Sequence, residues 1–289
     1  MERLDGRIDL DATMTSGQLF HWRRRERDGT PEGVGSTYYA TAVDGHGVRL
    51  FPTDGGVAVE GEAPRTAVRR SLGLDVSLGD VTAGFDDEAV ERAVAATPGL
   101  RVVADDPWRS LVSFLCSPQS SVERIRRLVN RVADAYGEPI DGFAVSRFPD
   151  AATVADEATE DALRELKLGY RAPYVIESAR QIADGDVDLA AIREMPYEGA
   201  HEEIQRLHGV GDKVADCVLL FGLGFDEAVP LDRWMWRALE AHYPGMASDD
   251  YAEARDAFRE RFGERAGYAQ NFLFHHVRTG GEGAVSGDD

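Results

Sequence analysis

The chain has 289 residues, of which 43% are hydrophobic and 29% charged, with a formal net charge of −20. Such a length is ample for a full core and points to two domains or one large one. No apolar run reaches the roughly eighteen residues of a membrane span, and MERLDGRIDLD lacks a signal peptide's hydrophobic region, so a cytoplasmic protein without a membrane partner is expected.

Two cysteines, Cys116 and Cys217, are too few for a disulfide framework or an all-cysteine iron–sulfur site, and both fall in apolar, helix-like stretches. The seven histidines, His275-His276 among them, show no ligand spacing, so no catalytic metal is expected. The acidity alone argues against nucleic acid, whose binding rests on basic contacts to phosphate. Yet the acidic residues are spread along the chain. Lys167 and Lys213 are the only lysines, and arginine supplies the remaining basic residues. That pattern suggests the solvated surface of a salt-adapted, halophilic source, with arginines gathered on one face.

From residue 1 to about 62 the pattern is strand-like. Leu19 to Trp22, Thr37 to Val43, Val48 to Phe51 and Val57 to Glu60 are short runs between Gly/Asp-rich turns, which predicts an antiparallel sheet. Arg65 to Leu72 and Asp86 to Ala96 read as helices. Asp106-Pro107 reads as N-cap and first residue of a helix through Leu115, and another helix follows from about Ser121 to Tyr136. A loop over 137–149 precedes helices near 150–156, 159–166, 171–184, 188–193 and 199–207. The last amphipathic helix runs from about Gly263 to Thr279. The fold class is therefore α+β: a small N-terminal antiparallel sheet domain with flanking helices (1–104), a larger all-α domain (105–280) and a disordered tail (281–289).

Chemistry concentrates in LHGVGDKVADCVLLFGLGFDEAVPLDRWMWR, residues 207–237. Gly209, Val210 and Gly211 form a sharp reversal between helices, where glycine reaches positive φ without penalty and lets a foreign backbone approach. The next helix starts near Asp212 with Val214, Val218 and Phe221 on its apolar stripe. Free N–H groups with a helix dipole behind them hold phosphate without a basic side chain; the same signal also fits an ordinary C-cap and turn. Lys213 stands at the mouth of this hairpin. A neutral amine there is a nucleophile. Asp232 before Arg233-Trp234-Met235-Trp236 reads as an N-cap, a role compatible with catalysis.

GVGDKVADC followed by AVPLDRWMW resembles the helix-hairpin-helix DNA glycosylases, and most closely the 8-oxoguanine DNA glycosylases of the lyase-active branch. SGQLFHWR (16–23), DPWRSLVSFLCS (106–117), LGYRAPYV (168–175) and GYAQNFLF (267–274) extend the resemblance in the family's order.

The resemblance implies base flipping and excision of 8-oxoguanine from double-stranded damaged DNA, preferably opposite cytosine, by a chain expected to be a monomer. Lys213 would form a Schiff base with the sugar and permit β-elimination, and Asp232 would stabilise the developing oxocarbenium charge. The damaged base would be read by the Gly17 carbonyl and Gln270, stacked on Phe274 and lined by Cys217. Arg124 and Arg171 would hold the estranged cytosine, with Tyr170 as wedge. Gln119 stands where the family has asparagine and would fill the gap left by the base, and Trp234 stands where the family often has histidine. No cofactor is implied beyond a monovalent cation at the hairpin. The alternatives are a monofunctional alkylated-base glycosylase of the 3-methyladenine type, argued against by Lys213 and the Gly17 block, and a non-catalytic hairpin DNA-binding module.

Overall fold

Alternating apolar and polar residues in the first sixty positions build a five-stranded antiparallel sheet: β1 (Glu2–Asp5), β2 (Trp22–Glu26), β3 (Thr37–Val43), β4 (His46–Thr53) and β5 (Gly56–Gly61), in the order β1-β5-β4-β3-β2. The structure is a computed structural model that describes residues 1–281. The expected tail lies outside the described residues, apart from its first residue. Register is fixed by pairs such as Tyr39 opposite Leu50 and Leu50 opposite Val59, which put one apolar row on the core face.

Two strand readings change. Leu19 to His21 is not strand; β2 begins at Trp22 and runs outward through Arg23-Arg24-Arg25 as a charged edge. The segment before it is claimed by tertiary bonds instead. The Gln18 amide donates to the Arg101 carbonyl (2.8 Å) and accepts from the Val103 N–H (3.0 Å), and Asn130 donates to the Phe20 carbonyl (3.1 Å). β1, Leu10–Thr15 and Leu78–Thr82 are elements that the sequence pattern did not single out, and the 137–149 loop contains a two-residue ladder, Pro139–Ile140 with Val145–Ser146.

The remainder is helical. Asp106 caps Pro107–Leu115 by accepting from the Arg109 N–H at 2.9 Å, with Pro107 in the first turn. Val122–Tyr136, Ala172–Ala183, Tyr197–Ile204, Asp212–Val218, Arg233–His242, Tyr251–Phe262 and Ala266–Arg278 are the other main helices. The Pro107–Leu115 helix is buried along nearly its whole length and joins the sheet region to the helical part: Phe114 meets Phe20 edge-on at 5.7 Å, and Arg109 reaches the Ala42 carbonyl at 3.1 Å. The last helix packs on Arg233–His242 and on the early Glu88–Ala96 helix, which ties it to the N-terminal part of the chain.

Candidate active site

The hairpin takes its shape from glycine at one critical position. Gly209 has φ +83°, and a Cβ there would stand 2.5 Å from Cγ of Tyr174. The Ala172–Ala183 helix holds the turn: Ser178 donates to the His208 carbonyl (3.1 Å), and Gln181 accepts from the His208 N–H (2.9 Å). Gly211 caps Asp212–Val218 without a side-chain bond, leaving first-turn N–H groups facing out, while Val210 is buried beneath.

In the first turn of that helix, Lys213 is half-buried, and its Nζ donates to Ser117 Oγ at 2.9 Å while lying 5.3 Å from the Phe114 ring centroid. Cys217, on the same face, is buried; burial pushes its thiol up to about 12, against the pull of the Lys213 cation, so a neutral thiol stands beside the amine. Asp232 caps the Arg233–His242 helix, its Oδ1 accepting from the Trp234 (2.9 Å) and Met235 (3.0 Å) N–H groups. Its second oxygen is not used by the cap.

Lys213 and Asp232 line one cavity of about 340 Å³, counted to its open mouth, together with Gly17, Cys217, Gln270 and Phe274. The six come from four separate stretches of sequence: the turn at Gly17, the Asp212–Val218 helix, the Asp232 cap and the Ala266–Arg278 helix. Gly17 has φ +91°, and a Cβ there would sit 3.2 Å from a Val122 methyl and 3.9 Å from the Phe274 ring. Gln270 is 4% exposed and donates to the Pro230 carbonyl at 3.1 Å, while its Oε1 has no partner among the described residues. A buried amide oxygen without a donor is costly, so it is poised for a ligand N–H.

Gln119, Tyr170 and Arg171 meet beside the mouth, because Ser117, the partner of Lys213, begins the loop that Arg171 anchors. Gln119 is exposed at φ +54°. Tyr170 is 50% exposed and donates to the Pro118 carbonyl at 3.3 Å. Arg171 departs from the exposed fork expected of it: it is 2% exposed, lies against Tyr170, and donates to the Pro118 carbonyl and to Ser120 Oγ (3.1 Å). In this conformation it shapes the loop from below. Arg124 is exposed on the first turn of Val122–Tyr136. Trp234 has the guanidinium groups of Arg233 and Arg237 over its ring at 4.9 and 4.8 Å, so positive charge gathers where the family often has histidine.

Sequence reading missed Ser117, Gln18, Asn271, Phe221 and Pro230 as site residues. Ser117 and Asn271 lay inside quoted motif blocks, but nothing local marks their direction. A larger cleft borders Asp105, Arg109, Arg147 and Arg193, but it contains neither Lys213 nor Asp232. Its cations are engaged by Asp105, Glu138 and the Gly222 carbonyl. Among the described residues no cluster of three metal-ligating side chains occurs, and no helix is long and apolar enough to cross a membrane.

A hairpin feeding a lysine-bearing helix, an aspartate cap facing it and a glutamine-lined cavity define a site for base excision. The chain belongs to the HhH-GPD superfamily of base excision DNA repair proteins, whose profile matches residues 112–264. Within it, the chain is 31% identical to the N-glycosylase/DNA lyase of Saccharomyces cerevisiae over 264 residues, 78% of this chain and 69% of that one. It is also 31% identical to the probable N-glycosylase/DNA lyase of Methanothermobacter thermautotrophicus, over 96% of this chain and 95% of that one. The solved structure of Clostridium acetobutylicum 8-oxoguanine glycosylase/lyase, in complex with double-stranded DNA containing cytosine opposite 8-oxoguanine, superposes with a TM-score of 0.86 at 25% identity, covering 96% and 97% of the two chains.

Proposed function

We propose that this chain is a bifunctional base excision repair enzyme. It removes 8-oxoguanine from double-stranded DNA, preferably opposite cytosine, and then cleaves the strand at the abasic site. The observation that carries this reading is the convergence of Lys213, Asp232, Gly17, Gln270 and Phe274 on one cavity. The flipped base stacks on Phe274, and its Watson–Crick edge meets the unpaired Gln270 oxygen. The proton on N7 that distinguishes the lesion from guanine is donated to the Gly17 carbonyl.

Chemistry follows from the amine. Once deprotonated, the Lys213 amine attacks C1′; the C1′–N9 bond breaks, and its electron pair leaves with the base, which takes up a proton from solvent. The nitrogen then passes one of its two protons to O4′ as the C1′–O4′ bond breaks, and the open-chain sugar is left as an iminium. Asp232 faces the positive charge that develops on the sugar in the first step. The iminium acidifies C2′–H, and loss of that proton expels the 3′ phosphate, breaking the strand.

Gln119 and Tyr170 fill and wedge the duplex, Arg124 reads the estranged base with Arg171 once the Pro118–Ser120 loop shifts, and the N–H groups around Gly209, Val210 and Gly211 hold a backbone phosphate. Main-chain oxygens are the donors there for a monovalent cation; those of Leu207 and His208 each already accept one hydrogen bond and keep a second lone pair. Such an ion would brace the loop and takes no part in the chemistry. All these groups belong to one chain, which supports a monomer. The two buried free thiols fit a reducing cytoplasm.

Borohydride trapping on 8-oxoguanine paired with cytosine, at high potassium chloride, is the test. Wild type is expected to give a covalent adduct and Lys213→Gln none. Release of the base without an adduct would replace this reading with a monofunctional glycosylase.

A further inference from the structure

Asp216 lies one turn beyond Lys213 on the same helix and is fully buried; His201 Nε2 stands 3.8 Å from its Oδ1, and among the described residues no arginine or lysine pairs with it directly. A carboxylate in such a place must be satisfied by hydrogen bonds. Two phenols supply them: Tyr197 donates to Oδ1, and Tyr251 donates to Oδ2 at 2.8 Å. Tyr251 does more than satisfy the carboxylate. Its oxygen accepts the Leu231 N–H at 3.1 Å, so one hydroxyl connects the Lys213 helix with the residue immediately before Asp232. Burial, and then the Asp216 charge, push the Tyr251 hydroxyl well above its ordinary range, which keeps it a donor.

The tethered segment carries two functions. Asp232 follows Leu231, and the carbonyl of Pro230 before it receives the Gln270 amide at 3.1 Å. The segment that presents the catalytic carboxylate therefore also orients the base-reading amide. Lys213 is anchored elsewhere, on Ser117 and Phe114 at the end of the Pro107–Leu115 helix and just beyond it. The two halves of the site meet through Asp216, Tyr251 and Leu231.

We propose that Tyr251, oriented by Asp216, is a positioning residue for excision: its hydroxyl sets the register of the Pro230–Asp232 segment against the Lys213 helix, and thereby the placement of both Asp232 and Gln270. This rests on the excision reading above. It separates two steps that share Lys213. Removal of the base needs the tethered segment. Imine formation at a preformed abasic site needs the amine and no base recognition, and so is much less dependent on the tether.

The experiment compares Tyr251→Phe with wild type in single-turnover excision of 8-oxoguanine, in DNA binding, and in borohydride trapping on a preformed abasic duplex. A displacement of order 1 Å at a reacting centre costs about 100-fold, so the excision rate is expected to fall roughly 10- to 100-fold. Binding and abasic-site trapping should stay within about threefold of wild type, a split that general loosening of the fold would not produce. Asp216→Asn, which keeps the side-chain volume but weakens the acceptor, should move excision in the same direction and provides the test if the phenylalanine variant does not fold. Equal losses in both reactions, or unchanged excision in both variants, would overturn the proposal. Wild type inactive on 8-oxoguanine would overturn the excision reading itself and this proposal with it.

Discussion

A methyl group at Gly17 would meet a Val122 methyl at 3.2 Å on a backbone held at φ +91°, at the point where the chain enters the cavity. Strain of this kind at a non-glycine residue costs about 1–3 kcal/mol. The cost falls at the cavity itself, because the same Cβ would also come into van der Waals contact, at 3.9 Å, with the Phe274 ring that we propose stacks on the base. Gly17→Ala is therefore expected to lower the melting temperature by several degrees, as about 1 kcal/mol gives 2–4 °C in a chain of this size. It should also slow single-turnover excision of 8-oxoguanine by roughly tenfold or more if, as we propose, the Gly17 carbonyl reads N7, because that carbonyl shifts with the backbone. A variant melting lower but excising at the wild-type rate would remove Gly17 from lesion recognition.

Among the elements, the Val122–Tyr136 helix carries the electrostatic argument. Arg124, Arg127 and Arg131 fall at i, i+3 and i+7 on one exposed face, and none is in an ion pair among the described residues. Arg126 on the adjoining face pairs with Glu123. The uncompensated stripe begins close to the cavity, because Val122, at the start of the helix, stands where a Cβ on Gly17 would come within 3.2 Å of its methyl. If it follows the DNA backbone, Arg127→Ala should weaken binding to damaged and undamaged duplex alike and reduce the slope of log affinity against log salt by about 1. A selective loss on damaged duplex would assign Arg127 to base reading instead.

Pro107–Leu115, the hairpin, the Lys213 helix and the Asp232 cap were legible in the sequence because each is set by local chemistry: a cap, a glycine turn or an apolar stripe. The strand expected at Leu19 to His21 was not, since Gln18 and Asn130 bind that segment across more than eighty positions. Arg171 reads as a surface residue until the Pro118–Ser120 loop folds over it. Tyr251 opens an ordinary-looking helix, and the carboxylate its hydroxyl meets is thirty-five residues away.

For the molecule as a whole, the net charge of −20 sets two salt effects against each other. Many arginines are spent on carboxylates: Arg23 on Asp134, Arg27 and Arg49 on Glu60, Arg259 on Glu198. Exposed pairs of this kind stabilise by about 0–1 kcal/mol each, which does not offset repulsion among the remaining excess acids. Screening shortens to roughly 3 Å at 1 M salt from 10 Å at 0.1 M, so added salt relieves that repulsion and should stabilise the fold. We propose that the surface is salt-adapted in this sense, with the melting temperature rising several degrees between 0.1 and 1 M potassium chloride. DNA binding responds to both terms. Counterion release weakens it with salt, while screening of the acidic surface strengthens it, so the slope of log affinity against log salt should be shallower than the number of phosphate-contacting arginines alone predicts. Both quantities come from one titration series, by thermal melting and by fluorescence anisotropy of a labelled duplex. A melting temperature that is flat or falls with salt would show that the acidic excess is no burden on the fold. A full-strength slope would show that the arginine face acts on DNA independently of the charge elsewhere.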